Sequence, residues 1–138
     1  MLSVTVLVSC ASAPRQTISL ASFTENYVDV SVYLESDSQG NYQLSATFMA
    51  PNGYHLYSKD IPISGIDGLG RPTLVELTSD SQIKALGDLM ESVHAREPEF
   101  EPKELLVYPL GPVTLNLPIK LPSGDSWIED ELEVTYMA

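Results

Sequence analysis

The sequence predicts an all-β domain built from antiparallel sheets packed in two layers. Apolar and polar residues alternate with the period of a strand in several separate segments. Ten prolines and eight glycines supply turns between segments, and only one stretch has apolar residues at helical spacing. At 138 residues, 43% of them apolar, the chain is long enough for one folded domain with one core.

The clearest expected pair of strands is a hairpin in the first half of the chain. Residues 27–34 place valines at every second position, and residues 42–49 alternate in the same way. Residues 36–41, rich in Ser, Asp, Gly and Asn, are typical of a turn. The expected buried faces consist of Val28, Val30, Val32 and Leu34 on the first strand, and of Tyr42, Leu44, Ala46 and Phe48 on the second.

Five further stretches are predicted to be extended. Residues 54–63 contain Pro62, whose missing N–H suits a sheet edge rather than its centre. The remaining four are residues 73–77, 104–108, 113–119 and the final run 131–138, with a Pro/Gly turn at 109–112.

One segment leaves helix and loop open as alternatives. Between residues 81 and 94 the apolar positions Ile83, Leu86 and Met90 follow helical spacing, but Gly87 interrupts them. Either one or two helical turns or an irregular loop fits this pattern. Residues 66–72, 97–103 and 121–130 are predicted to be loops.

Short strands at intervals of about 8–15 residues, with little helix, favour an immunoglobulin-like sandwich. The pair of inter-sheet cysteines that marks antibody domains is missing, because Cys10 is the single cysteine. Trp127 lies in a polar loop rather than at a core strand position. Periodicity alone therefore predicts a β-sandwich, of which the immunoglobulin-like form is the favoured one.

The net charge bears on the possible partners. Nineteen acidic residues against seven basic ones give −12, which would repel a nucleic-acid backbone. A nucleic-acid partner is therefore not expected. The acidity indicates a well-hydrated surface or, alternatively, a docking face for basic partners.

The first 16 residues are predicted to be an export segment and a tether, and residues 17–138 the folded domain. The run Leu7-Val8-Ser9-Cys10 resembles a lipobox, the site at which bacterial lipoproteins are cleaved and acylated on cysteine. Only nine residues precede Cys10 and none is Lys or Arg, which departs from a usual signal. A first β-strand with a buried thiol is the alternative. The lipobox interpretation predicts an extracytoplasmic, lipid-anchored protein.

Patterns for other chemistry are weak. His55 and His94 lack the short spacing of a metal site, and neither of the acidic groups at residues 97–99 and 129–131 has the pattern of a calcium loop. No nucleophile turn or glycine-rich phosphate loop is present in the sequence. We therefore expect no metal and no cofactor.

Residues 52–61, NGYHLYSKDI, resemble a segment of the N-terminal, extracytoplasmic domain of the thiol:disulfide interchange protein DsbD. Further stretches agree with that family in order and spacing: residues 70–73, residues 85–91, and residues 98–100 followed by Val107-Tyr108 and residues 113–118. The resemblance covers about residues 28–138 and implies an immunoglobulin-like domain that passes electrons from a membrane-embedded domain to periplasmic thiol-disulfide proteins.

The final run gives the sharpest resemblance. In the family, a strand similar to Val134-Thr135-Tyr136 is followed at once by one cysteine, with a second about six residues further on; exchange requires both. We expect the natural polypeptide to continue past Ala138 into this pair, and the present chain to be redox-inert. Catalytic residues are accordingly expected only beyond Ala138.

The resemblance also implies roles for residues around the pair. Tyr57 matches an aromatic residue that shields the cysteines, Phe100 matches the aromatic residue of a cap loop that covers them, and Glu99 is its acidic neighbour. Tyr54 and His55 belong to the same shielding and docking set, although the best-known members have tyrosine at the position of His55. Ordinary packing of strand and loop aromatics is the alternative.

A second function from another class remains open. A cysteine-free binding or scaffold lipoprotein domain would keep the sandwich and use the region of Tyr57 and Phe100, or a free strand edge, to dock a partner. Free edges also favour pairing with a second copy. A carbohydrate-binding sandwich is a weaker option, because Trp127 is the single tryptophan.

Overall fold

The computed structural model describes residues 16–123 and 130–138. The described chain is all-β, with antiparallel pairing between its strands, which confirms the predicted class. Cys10 and Trp127 lie outside the described residues. The strands are β1 (Gln16–Glu25), β2 (Val28–Ser36), β3 (Tyr42–Met49), β4 (Leu74–Leu77), β5 (Lys84–Ala85), β6 (Met90–Glu91), β7 (Val113–Lys120) and β8 (Leu132–Thr135).

Six strands form the larger sheet, in the order β1-β2-β3-β7-β5, and β6 also pairs with β7. β4 and β8 form a separate two-stranded sheet. The predicted hairpin is confirmed: Val30 pairs with Phe48 and Leu34 with Leu44. Its turn is stabilised by the carboxylate of Asp37, which accepts hydrogen bonds from the backbone N–H groups of Gln39 and Asn41.

The apolar core lies on one face of the larger sheet. The alternating residues of β2, β3 and β7 are buried there, as predicted, except that Leu34 is only partly buried and Tyr42 at the end of β3 is exposed. Leu132 and Val134 of β8 pack against these buried residues, so the small sheet contributes to the same core. Leu56, Val75 and Tyr108 complete it from outside the larger sheet.

Four local predictions need correction. β1 (Gln16–Glu25) was not predicted, because a register shift between Ser19 and Ala21 interrupts the alternation of its apolar residues. Residues 81–94 contain no helix; β5 and β6 each pair two residues with β7. Residues 54–63 and 104–108 are not continuous strands, and pair only through isolated bridges at Tyr57 and Val107. Buried and less buried residues alternate in both segments, but their backbone N–H and C=O groups form inter-strand hydrogen bonds at only a few residues.

Candidate functional site

Three of the five predicted site residues come together. The His55 ring stacks on Phe100, with ring centroids 5.3 Å apart and planes 27° apart. It also meets Tyr57 edge to face, at 5.1 Å and 86°. His55 thus lies between the other two rings, and we name His55, Tyr57 and Phe100 the aromatic cluster. Both geometries are the ones that aromatic pairs favour.

The backbone around residues 54–58 sets the direction of these side chains. Ser58 N donates to Leu106 O at 2.9 Å, and Tyr108 N donates to Leu56 O at 2.8 Å. Leu56 and Ser58 are buried. His55 and Tyr57 alternate with them along the chain and therefore lie toward the opposite side of this extended segment.

Gly70 permits the close approach of Tyr57. A Cβ at Gly70 would lie 3.3 Å from the Tyr57 ring and 2.7 Å from Leu105 Cδ1. Its φ of +73° also lies in the left-handed region, which glycine adopts without strain. The glycine-rich loop predicted at residues 66–72 therefore packs directly against the cluster.

The loop that carries Phe100 is exposed at residues 99–101, as predicted, whereas Pro98 is buried and Pro102 and Lys103 are partly buried. Phe100 is 40% exposed, so one part of its ring contacts His55 and the rest faces solvent. Lys103 Nζ donates to Pro98 O at 3.0 Å, which joins the two ends of the loop.

The other two predicted residues do not join the cluster. Tyr54 stacks on Tyr27 instead, with centroids 6.1 Å apart. Glu99 is exposed in the loop next to Phe100. Tyr27 sits at φ +67° in the two-residue turn between β1 and β2, an uncommon conformation for a bulky residue. The sequence reasoning did not assign Tyr27 to the site.

Backbone hydrogen bonds connect the segment that carries Tyr57, through the start of β4, to the carboxyl end of β8. Thr73 donates to Tyr57 O from both its backbone N, at 3.2 Å, and its Oγ1, at 2.7 Å. The next residue, Leu74, pairs with Thr135 of β8. One short strand therefore separates the segment that carries Tyr57 from the last residues of β8.

Burial perturbs the ionisation of His55. Partial burial lowers its pKa below the ordinary 6.5, because a charged imidazolium loses hydration there.

A buried polar pair behind this segment was missed by the sequence reasoning. The Tyr108 hydroxyl donates to Glu91 Oε2 at 2.5 Å and accepts from Lys59 N at 3.0 Å. Burial, followed by the hydrogen bond to Glu91, raises the pKa of Tyr108. These residues are 17 positions apart with no shared motif, so no local pattern connects them.

Within residues 16–123 and 130–138, no group of three or more His, Cys, Asp or Glu side chains is placed to hold a metal ion. The described part of the chain also has no helix long and apolar enough to cross a membrane. Comparisons with family models, curated proteins and solved structures found no match to this chain.

Proposed function

We propose that this chain is an extracytoplasmic, immunoglobulin-like sandwich domain of the DsbD N-terminal type, which serves thiol-disulfide interchange. In this proposal the natural polypeptide continues past Ala138 into a cysteine pair, and its partners are periplasmic thiol-disulfide proteins and a membrane-embedded redox domain. The observation that carries the proposal is the aromatic cluster, one short strand away from the end of β8.

The chemistry of thiol exchange explains what such a cluster would do. A thiolate attacks a disulfide sulfur through a mixed disulfide, so an exposed pair also reacts with any small oxidant that reaches it. Aromatic rings beside the sulfurs exclude water and small oxidants. Phe100, half exposed at the tip of its loop, is suited to move aside when a partner protein docks.

The sandwich description is supported by the shared core. Side chains from β8 and Val75 of β4 pack on the buried face of the larger sheet, as expected for two sheets packed face to face. The acidic loop around Phe100, with Glu97, Glu99 and Glu101, would favour basic partner surfaces.

The first test is the reading frame that follows Ala138. We expect two cysteines about six residues apart within roughly ten codons, because exchange needs an attacking and a resolving thiol. A stop codon, or a continuation without such a pair, would remove the redox assignment.

The second test uses the full-length polypeptide with its cysteines reduced. Phe100→Ala should increase the rate at which glutathione disulfide oxidises the pair, because it removes part of the shield. Leu86→Ala, an exposed leucine outside the cluster, serves as the control and should leave the rate unchanged. Equal rates in the wild type and both variants would contradict a shielding role.

We also propose that the protein is lipid-anchored through Cys10. The residue lies outside the described part of the chain, and the support is the lipobox-like sequence that ends at Cys10. Intact mass spectrometry of protein from envelope membranes should show a chain that begins at Cys10 and carries lipid. An unmodified chain retaining Met1 would refute the anchor.

A binding module without redox chemistry is the second candidate. It is favoured by the partial exposure of Tyr54 and Phe100, which leaves aromatic surface open to a partner. Under this alternative, no cysteine pair follows Ala138. Phe100→Ala then weakens capture of an extracytoplasmic partner, whereas Leu86→Ala does not.

A further inference from the structure

Two free strand edges lie on the same side of the described fold. β1 pairs with β2, and β8 pairs with β4. Within the described residues, no second strand pairs with the other edge of β1 or with the other edge of β8. Tyr136, directly after β8, donates its hydroxyl to Glu25 O at the end of β1, at 3.1 Å. β8 therefore lies on the β1 side of the small sheet, and its free edge opens toward β1.

The core-facing side of β1 is uncovered. Register pairs Phe23 with Val30 and Ala21 with Val32, so these residues share the face on which both valines are buried. Yet Ile18, Leu20 and Phe23 are 52%, 49% and 37% exposed. A groove of about 500 Å³ separates β1 from Leu132 and Val134 of β8.

The β1 edge lacks the usual protection against pairing, whereas β8 carries one exposed charge, on Glu133. Residues 16–24 of β1 carry no ionisable side chain and no proline, although the chain as a whole has a charge of −12. Natural edge strands generally carry lysine, charge or proline to block association. Asp130, the one charged residue among the described groove residues, already accepts from Ser81 Oγ, Gln82 N and Ile83 N at 2.8–3.2 Å.

We propose that this side of the molecule joins two copies of the chain. β1 of each copy pairs with the free edge of β8 in the partner and thereby extends the partner's small sheet. In that position it also covers the apolar face of the partner's β1. Both free edges then gain backbone partners, and both apolar faces are buried. A separate peptide strand would complete one edge and leave the other free. In a two-fold arrangement the β1 edge of each copy pairs with the β8 edge of the other, so the same surface is used on both copies, as an isologous interface requires. The uncharged β1 allows this contact despite the negative charge elsewhere.

The test is the mass of the full 138-residue chain by light scattering and sedimentation, over about 1–200 µM. We expect the mass to rise from 15.1 kDa to twice that value and then to stop. Added salt should strengthen the dimer, because it screens the repulsion between two acidic bodies.

Phe23→Lys should weaken the dimer by about tenfold or more, because the ammonium group would be buried in an apolar contact. The side chain is partly exposed in a single copy, so the variant should fold, with an unchanged far-ultraviolet circular dichroism spectrum. Ser22→Lys places the same charge on the opposite face of the same strand and should dimerise like the wild type. A monomer across the whole range, a mass that grows past two copies, or equal dimerisation of both variants would overturn the proposal.

Discussion

The central strands and the segment that carries the aromatic cluster are stabilised in different ways. β2, β3 and β7 pair without a break in register, and each repeats its buried residues at every second position. Residues 54–58 and 105–108 join each other at separate points, through single hydrogen bonds and isolated bridges. Periodicity thus determines the scaffold, whereas a few individual contacts determine the geometry of the site.

The largest effect is expected in the central strands. Leu115 on β7 is 0% exposed, so Leu115→Ala should lower the free energy of unfolding by about 2–5 kcal/mol through lost burial and a residual cavity. Leu110→Ala, at a leucine 74% exposed, should change it by less than about 0.5 kcal/mol. Urea denaturation measures both. Similar losses at the two positions would contradict the placement of the core.

The next effect tests the attachment of the site segment to the scaffold. Tyr108→Phe removes the hydroxyl that binds Glu91 Oε2 and Lys59 N, so both atoms lose this partner in a largely buried position. The expected loss is about 1–3 kcal/mol. Tyr27→Phe, at a highly exposed tyrosine, is the matched control and should be near neutral.

The same hydroxyl gives a pH dependence. Because the pKa of Tyr108 is raised in the folded protein above the ordinary 10.0, the folded state holds this proton more tightly than the unfolded state does. Its contribution is complete below pH 10.0 and is lost as the pH rises above that value toward the folded pKa. Unfolding midpoints measured from about pH 8 to 11 should fall more steeply for the wild type than for Tyr108→Phe. Parallel curves would show that the hydroxyl is not linked to folding.

A third substitution tests how the glycine-rich loop packs against Leu105 and Tyr57. Gly70→Ala and Gly40→Ala place alanine at φ +73° and +81°, so both should lose about 1–2 kcal/mol to backbone strain. Only the Gly70 methyl group would also meet Leu105 and the Tyr57 ring, because Gly40 has open space around it. The additional loss at Gly70, read from the difference between the two denaturation curves, measures how tightly Leu105 and Tyr57 are held. Equal losses would mean that both side chains move aside freely.

Sequence patterns predicted the scaffold well because each central strand has one buried face. Alternation located Val30, Phe48 and Leu115 correctly, since burial on a single face is a local property of the sequence. It also suggested continuous strands at residues 54–63 and 104–108, where burial alternates but backbone pairing does not persist. β1 gave no continuous alternating signal, because a register shift between Ser19 and Ala21 interrupts the pattern of its apolar residues.

The site was predictable only through resemblance. The resemblance to the DsbD family predicted His55, Tyr57 and Phe100 as site residues. In the structure the His55 ring contacts the rings of the other two. No spacing rule connects residue 55 with residue 100, since their contact depends on a loop that returns to the extended segment. Glu91 and Tyr108 were missed for the same reason: a hydrogen bond between distant segments has no signature in either one.

The smallest effect concerns the contact between His55 and Phe100. Burial lowers the pKa of His55 below 6.5, so the folded state disfavours the imidazolium. The corresponding stability is complete above pH 6.5 and is lost as the pH falls through the folded pKa. The His55 resonance in a nuclear magnetic resonance titration should therefore have a midpoint below 6.5. Phe100→Ala uncovers one face of the imidazole and should raise the midpoint, whereas the distant Leu86→Ala should not. An unchanged midpoint in Phe100→Ala would show that the loop does not cover His55 in solution. The proposed shielding role of Phe100 would then lose its support.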